Sequence, residues 1–276
     1  ASLDIGDVRV VPQLLSDEML SDKQIQATQK VLYGHDYMGS ELPVSPLDIC
    51  HLTLSQFAQE ERKYALTPIV IGGDHSVGWP AFKAAFERWE SSGKARLGLL
   101  HFDAHTDLLS ERLGVKYCFA TWAWHANQLL GADGRLVQVG IRASGRDQAY
   151  WEKSCNLRQF WSAEVKARGV IEIAHEIIDR FESLGVTALY VSNDIDGTDS
   201  AYASATGTPE PNGLTPDQVD EITRLVGARF PLIGADLVEV APPLSSVQGE
   251  PEMTLKTTAK YLETLATLSL SRMPII

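Results

Sequence analysis

The chain has 276 residues, 44% of them hydrophobic and 22% charged, which is enough apolar material to bury a sizeable core and excludes disorder for most of its length. With 24 Lys and Arg against 36 Asp and Glu, the formal charge is -12, so phosphate repulsion argues against nucleic acid or an anionic membrane as a partner. No apolar run approaches the roughly 18 residues that span a bilayer, the start ASLDIGDVRVV has no signal-peptide pattern, and Cys50, Cys118 and Cys155 are too few and too scattered for a disulfide framework; a reducing, cytoplasmic setting is expected.

The elements read in chain order as short apolar runs, each followed by a segment of helical period. Residues 67–73, TPIVIGG, predict a buried strand ending on two glycines. Ser76 is then the expected cap of a helix over about 79–90, with Pro80 in its first turn. Strands are expected at 97–102, LGLLHF, and at 136–141, LVQVGI. Val165, Ile171, Ala174, Ile177, Ile178 and Phe181 recur at three- and four-residue steps, which predicts one amphipathic helix over 164–184 with Gly185 closing it. A strand over 187–192 follows. Thr215 with Pro216 marks the next helix start. A strand over 232–238 and a closing helix over 251–272 complete the reading. Continuous apolar strands alternating with helices indicate a mainly parallel sheet covered on both faces, an α/β/α sandwich in one domain.

In such sheets ligands bind beyond the carboxyl ends of the strands. Three strands end in chemistry-bearing segments: GGDHS at 72–76, DAHTD at 103–107 and NDIDGTD at 193–199. A single strand-end His or Asp is usually a loop anchor or a helix cap. Residues two apart in an extended segment share a face, so Asp103, His105 and Asp107 can converge, and Asp194 and Asp196 have the same spacing. Carboxylates packed together take up protons unless a cation neutralises them. Two divalent ions balance four aspartates. An oxygen-rich set with imidazoles suits a Mn²⁺-like ion better than zinc, and no cysteine lies in these segments.

These motifs, together with SNDIDGTDSAYASATGTPEPNGL at 192–214 and DLVEVAPP at 236–243, resemble the ureohydrolase family, which contains arginase, agmatinase and formimidoylglutamase. The resemblance implies an arginase-like sandwich and a centre of two Mn²⁺ ions. It implies His75, Asp103, His105, Asp107, Asp194 and Asp196 as metal ligands, with Asp103 and Asp194 bridging. It also implies a small cationic guanidino or amidine substrate and a trimeric or hexameric homo-oligomer. Residues 1–60 carry no motif of the family.

The implied reaction is attack of a metal-bridging hydroxide on the central carbon of a guanidinium, oriented by Asp107, with release of urea. A planar cation needs a facing carboxylate, and Glu239 matches the family position for it. Thr208 resembles the hydroxyl lining the guanidino pocket; the plainer reading is a turn residue beside Pro209. His101 reads as a neighbour of the ligands. Departures from the family pattern include Phe119 and Ala120 where arginases and agmatinases carry a His-Gly pair that shuttles a proton. His125 is the candidate replacement, one turn beyond Thr121 if that segment is helical; the alternative is an ordinary helix residue. Two further readings stay open: a formimidoylglutamase-like amidine hydrolase releasing formamide, whose pattern also lacks that histidine, and a binding protein of the same fold without activity.

Overall fold

The structure is a computed structural model that describes residues 3–4, 6–7, 15–36, 38–39, 41–60, 66–245 and 247–271. Two helices, α1 (Asp22–Tyr33) and α2 (Pro46–Glu60), precede the sheet. Then come β1 (Ile69–Ile71), α3 (Gly78–Trp89), β2 (Leu97–Phe102), α4 (Trp122–Leu129), β3 (Leu136–Val139), α5 (Gln148–Cys155) and β4 (Arg158–Phe160). The rest is α6 (Ser162–Arg168), α7 (Val170–Ser183), β5 (Ala188–Asp194), α8 (Pro216–Arg229), β6 (Leu232–Val238) and α9 (Glu252–Ser271). The strands form one sheet in the order β1-β6-β5-β2-β3-β4, every pair parallel.

The sheet is buried between two helical layers, which is why its strands are apolar on both faces. Leu100, Phe102, Val139, Leu189, Val191 and Leu237 pack against Ile173, Ile177 and Phe181 of α7, Ile222 and Val226 of α8 and Leu265 of α9. Leu97, Leu99, Leu136 and Tyr190 face the opposite way, onto Leu54 of α2, Phe82 and Trp89 of α3 and Trp122 and Ala126 of α4. Burying one such Leu or Phe side chain is worth roughly 1.5–3 kcal/mol. Alternation along β2 therefore places His101, two residues after Leu99, under α4.

Two features aim the strand ends. From β2 the chain steps outward to β3 and β4, then returns to β5 on the other side of β2. The gap beyond β2 and β5 is the point where the winding reverses, and ligands of open α/β sheets bind at such points. The pairing Phe102↔Asn193 puts Asp103 beside Asp194 there. A register shift at Leu189/Tyr190, opposite β6, brings Asp236 level with Ser192 on the α3 face.

Several elements differ from the sequence reading. β1 is a short edge strand, with Ile71 64% exposed, because among the described residues it pairs with β6 alone. Asp74, rather than Ser76, caps the turn before α3, its carboxylate accepting the Ser76 amide. The helix expected over 164–184 is two helices, broken at Gly169, which takes φ 86°. β4 and α5 carried no periodic signal. Thr215 caps α8 as expected, with Gln218 completing the reciprocal bond and Pro216 in the first turn.

Candidate active site

The three strand-end segments meet. Asp103 follows β2, Asp194 ends β5, and a single 3₁₀ turn over Ile195–Gly197 brings Asp196 round to the same side. His75 enters from its own short turn after β1. The DAHTD segment does not stay extended: Asp107 has φ 51°, and this left-handed residue turns its carboxylate back onto His75. A non-glycine residue pays for that conformation, so surrounding contacts must hold it. The Trp122 indole does so, donating to Asp107 Oδ2 at 3.1 Å.

Two groups of donors result, and Asp103 belongs to both. Its Oδ2 lies 3.5 Å from His75 Nδ1, which is also 3.3 Å from Asp107 Oδ2 and 3.1 Å from Asp194 Oδ2. Its Oδ1 lies 3.4 Å from His105 Nδ1, which is 3.1 Å from Asp196 Oδ2. Both ligand-type histidines thus turn Nδ1 inward. The outer nitrogen of His75 meets Ser192 Oγ at 2.9 Å, and Ser192 in turn donates to Asp236. The outer nitrogen of His105 points towards Glu210, 3.9 Å away. Gly197 and Gly78 allow the close approach. A Cβ on Gly78 would press on the Trp122 ring, which is stacked on His75.

The electrostatics fit a site built for cations. Burial alone would raise Asp103 and lower His75. The hydrogen bonds of Asp103 with His101, His105 and His75 instead hold it well below the usual carboxylate range, and His75 is raised well above its ordinary value by Asp103 and Asp194. Burial, then the neighbouring carboxylates, pushes Asp107 and Asp194 well up, and Asp196 rises for the same reasons. Carboxylates this close take up protons when no cation is present. Three buried carboxylates and the half-buried Asp107, with two Nδ1 atoms, make an oxygen-rich donor set of the kind that suits a hard divalent cation.

Glu239 follows β6 and also has a left-handed backbone, φ 63°. Its Oε1 accepts the His75 amide at 2.8 Å, its own amide donates to Gly73, and burial raises its pKa. It therefore borders the His75 side of the cluster. Thr208 donates to Asp196 Oδ2 at 3.0 Å, so its hydroxyl serves a carboxylate and is more than a turn residue.

His125 is not brought to the cluster. The helix expected there exists, as α4, but Nε2 of His125 is 2.9 Å from the Lys116 carbonyl oxygen. Its ring packs among Tyr117, Trp79 and Trp124. None of these contacts is with a carboxylate of the cluster, and they are those of a packing residue. Phe119 is 42% exposed and carries the Arg112 guanidinium 4.7 Å over its ring.

Sequence reasoning missed Arg142. Its half-buried guanidinium donates to the carbonyls of Asp196, Thr198, Gly197 and Glu210, tying the NDIDGTD turn to the loop around Glu210. It also missed Gln138, Ser192 and Asp236. A polar residue in the middle of an apolar strand was the available signal.

The fold and site together are a parallel α/β/α sandwich with a cluster of metal-type donors at its winding reversal. The chain belongs to the arginase family, whose sequence pattern matches residues 4–267 and so includes most of the N-terminal stretch that carries no motif. It is similar to the guanidinobutyrase of Pseudomonas aeruginosa, 36% identical over 185 residues, which are 65% of this chain and 54% of that one. It is also similar to the mitochondrial guanidino acid hydrolase of Homo sapiens, 36% identical over 180 residues, 64% of this chain and 48% of that one. The chain thus spans about half the length of these relatives. Among solved structures it resembles the proclavaminate amidino hydrolase of Streptomyces clavuligerus, with a TM-score of 0.68 and 29% identity over 81% of this chain and 70% of that one. The formimidoylglutamase of Bacillus subtilis shares the fold, with a TM-score of 0.68 and 23% identity over 86% and 71% of the two chains.

Proposed function

We propose that residues 1–276 form one catalytic domain that hydrolyses a C–N bond of a guanidino compound, releasing urea, with two Mn²⁺ ions as cofactor. The observation that carries this reading is the division of Asp103: one carboxylate oxygen joins the His75 group and the other joins the His105 group. His75, Asp107 and Asp194 would hold one ion, His105 and Asp196 the other, with Asp103 and Asp194 shared. When bound, two such ions lower the pKa of water and supply hydroxide near neutral pH. Asp107, held by Trp122, accepts the hydrogen bond of the attacking water and orients it. Glu239 faces the planar cation, matching paired N–H donors with paired oxygens.

The substrate tail is the second part of the reading. Ala120 O accepts the Leu109 amide, which places Phe119 within a few residues of Asp107. Arg112, stacked on Phe119, has no carboxylate partner among the described residues. A cation there favours a guanidino acid over a doubly cationic substrate such as agmatine, as the names guanidinobutyrase and guanidino acid hydrolase do for the relatives. The amidine alternative, a formimino acid that releases formamide, fits the same tail. Assembly as a trimer or hexamer and a cytoplasmic setting complete the proposal. The three cysteines are buried free thiols, and among the described residues no helix is long and apolar enough to cross a membrane.

The test is elemental analysis for manganese followed by product assays. Urea is measured with arginine, agmatine and 4-guanidinobutyrate, and formamide with formiminoglutamate. Two Mn²⁺ per chain and urea from 4-guanidinobutyrate are expected, with Asp103→Ala losing at least one ion and the activity. Formamide alone would move the function to the amidine reading, and no turnover of any of these substrates by the Mn²⁺-loaded chain would leave a binding protein.

A further inference from the structure

Three polar side chains lie side by side across the buried sheet. His101 of β2 is in register with Gln138 of β3, and Gln138 with Gln159 of β4. All three are fully buried. Uncompensated amides and imidazoles in such a place cost several kcal/mol, and apolar residues flank His101 on β2 and Gln138 on β3. The row is therefore retained against a cost unless every polar atom is satisfied, and the bonds show that it is.

The direction of every hydrogen in this row follows from chemistry alone. An indole N–H can only donate, and Trp161 Nε1 is 2.9 Å from Gln159, so that atom is the Gln159 oxygen. The Gln159 amide nitrogen then faces Gln138, donating to its Oε1 at 2.8 Å. This leaves the Gln138 nitrogen pointing the other way. Its two hydrogens go to the Thr106 carbonyl at 2.7 Å and to His101 Nδ1 at 2.9 Å. The Thr106 carbonyl can only accept, so it fixes the Gln138 orientation independently of Trp161. Nδ1 of His101 must accept. The imidazole hydrogen consequently sits on Nε2, which is 2.9 Å from Asp103 Oδ2.

By position alone His101 groups with His75, Asp103 and Asp107 as a possible ligand. The hydrogen-bond directions decide otherwise. We propose that Gln138 is a positioning residue: it locks His101 in the Nε2–H tautomer, so that His101 donates to Asp103 and cannot ligate a metal. The same amide holds the Thr106 carbonyl inside the DAHTD loop. Asp103 is left with Oδ2 bonded to His101 and Oδ1 bonded to the His105 amide at 2.6 Å. Each oxygen keeps its remaining lone pairs for one of the two donor groups. This inference rests on the metal-centre reading above, but the tautomer itself does not depend on it.

The test uses the whole 276-residue, metal-free chain labelled with ¹⁵N histidine, and two variants. Long-range ¹H–¹⁵N spectra should show His101 with the hydrogen on Nε2. In Gln138→Glu, which keeps the shape but accepts where the amide donated, the hydrogen should move to Nδ1 or occupy both nitrogens. In Gln138→Leu the single tautomer should be lost. Titration with Mn²⁺ alone should show affinity about 10–100-fold weaker in Gln138→Glu, the range expected when an outer partner of a metal ligand is removed. Thermal unfolding of each metal-free variant separates this from misfolding. A wild-type His101 carrying its hydrogen on Nδ1 would overturn the proposal, as would a Gln138→Glu variant with unchanged tautomer and Mn²⁺ affinity. If the wild-type chain takes up no Mn²⁺ at all, the metal reading fails, and the spectra still decide whether Gln138 sets the tautomer.

Discussion

Gly197 lies against the backbone of Asp103. A Cβ built on Gly197 would sit 2.8 Å from the Asp103 amide nitrogen and 3.1 Å from its Cα. The missing side chain is therefore what lets the turn after β5 close on the end of β2 and bring Asp196 to His105.

Gly197→Ala has no flexible side chain to push aside, because the obstructing atoms are backbone. The methyl group should displace Asp103 by several tenths of an ångström. Mn²⁺ titration of the variant is expected to show affinity at least about tenfold weaker, by analogy with the loss of an outer support at a metal site. Unchanged affinity would mean that the strand ends are not held against each other as tightly as this contact implies.

Glu239→Gln keeps the shape and an oxygen for the His75 amide, 2.8 Å from Glu239 Oε1. On the proposed function, what it removes is the charge that faces the substrate. A charge-assisted hydrogen bond is worth about 1.5–3 kcal/mol, so kcat/KM should fall about tenfold or more while manganese content stays constant. Steady-state kinetics with parallel elemental analysis measure both. Loss of manganese together with activity would show that Glu239 supports His75 rather than the substrate.

The pH dependence of the metal-free chain has a definite sign. Burial would lower the His105 pKa, but Asp103 and Asp196 raise it to about 11. A group raised on folding contributes stability fully present below its unfolded pKa, near 6.5, and lost as pH rises towards the folded value. The raised Asp107 and Asp194 carboxylates act in the same direction over this range. The chelated chain should accordingly melt at a lower temperature at pH 9 than at pH 6. Binding through Nδ1 requires a deprotonated ring, so Mn²⁺ uptake should release protons and strengthen as pH rises. Melting curves with and without Mn²⁺, and calorimetry in two buffers of different ionisation enthalpy, check the two signs. A chelated chain that melts higher at pH 9 would contradict the arrangement.

His125→Ala removes a ring packed among Tyr117, Trp79 and Trp124, and a bond to the Lys116 carbonyl. A cavity of that kind costs about 2–5 kcal/mol. The melting temperature should drop, while kcat of the folded, Mn²⁺-loaded variant stays within about twofold of wild type; a proton shuttle would instead cost ~10²–10⁴-fold. Recovery of a lost rate by added imidazole would restore the shuttle reading.

The sequence alone determined the parallel sheet, the strands over 97–102 and 232–238, the cap at Thr215 and the motif residues of the cluster. These are local properties: apolar runs, turn chemistry and the spacing of donors along one segment. It also determined the family, through motifs in order. Other features depended on atoms far apart in the chain. Asp107 turns back because Trp122 holds it, and no spacing in DAHTD reports a left-handed residue. His125 was legible as a helix residue, but its contacts with Tyr117, Trp79, Trp124 and the Lys116 carbonyl are tertiary, and its spacing from Phe119 does not report them. β1 was read as buried because its residues are apolar, yet its exposure depends on which strand lies beside it. Gln138 was visible as a polar residue in an apolar strand, whereas β4, which carries Gln159, gave no periodic signal. Only the register of three adjacent strands set them in a row with His101, because strand pairing is made between segments that the sequence does not order.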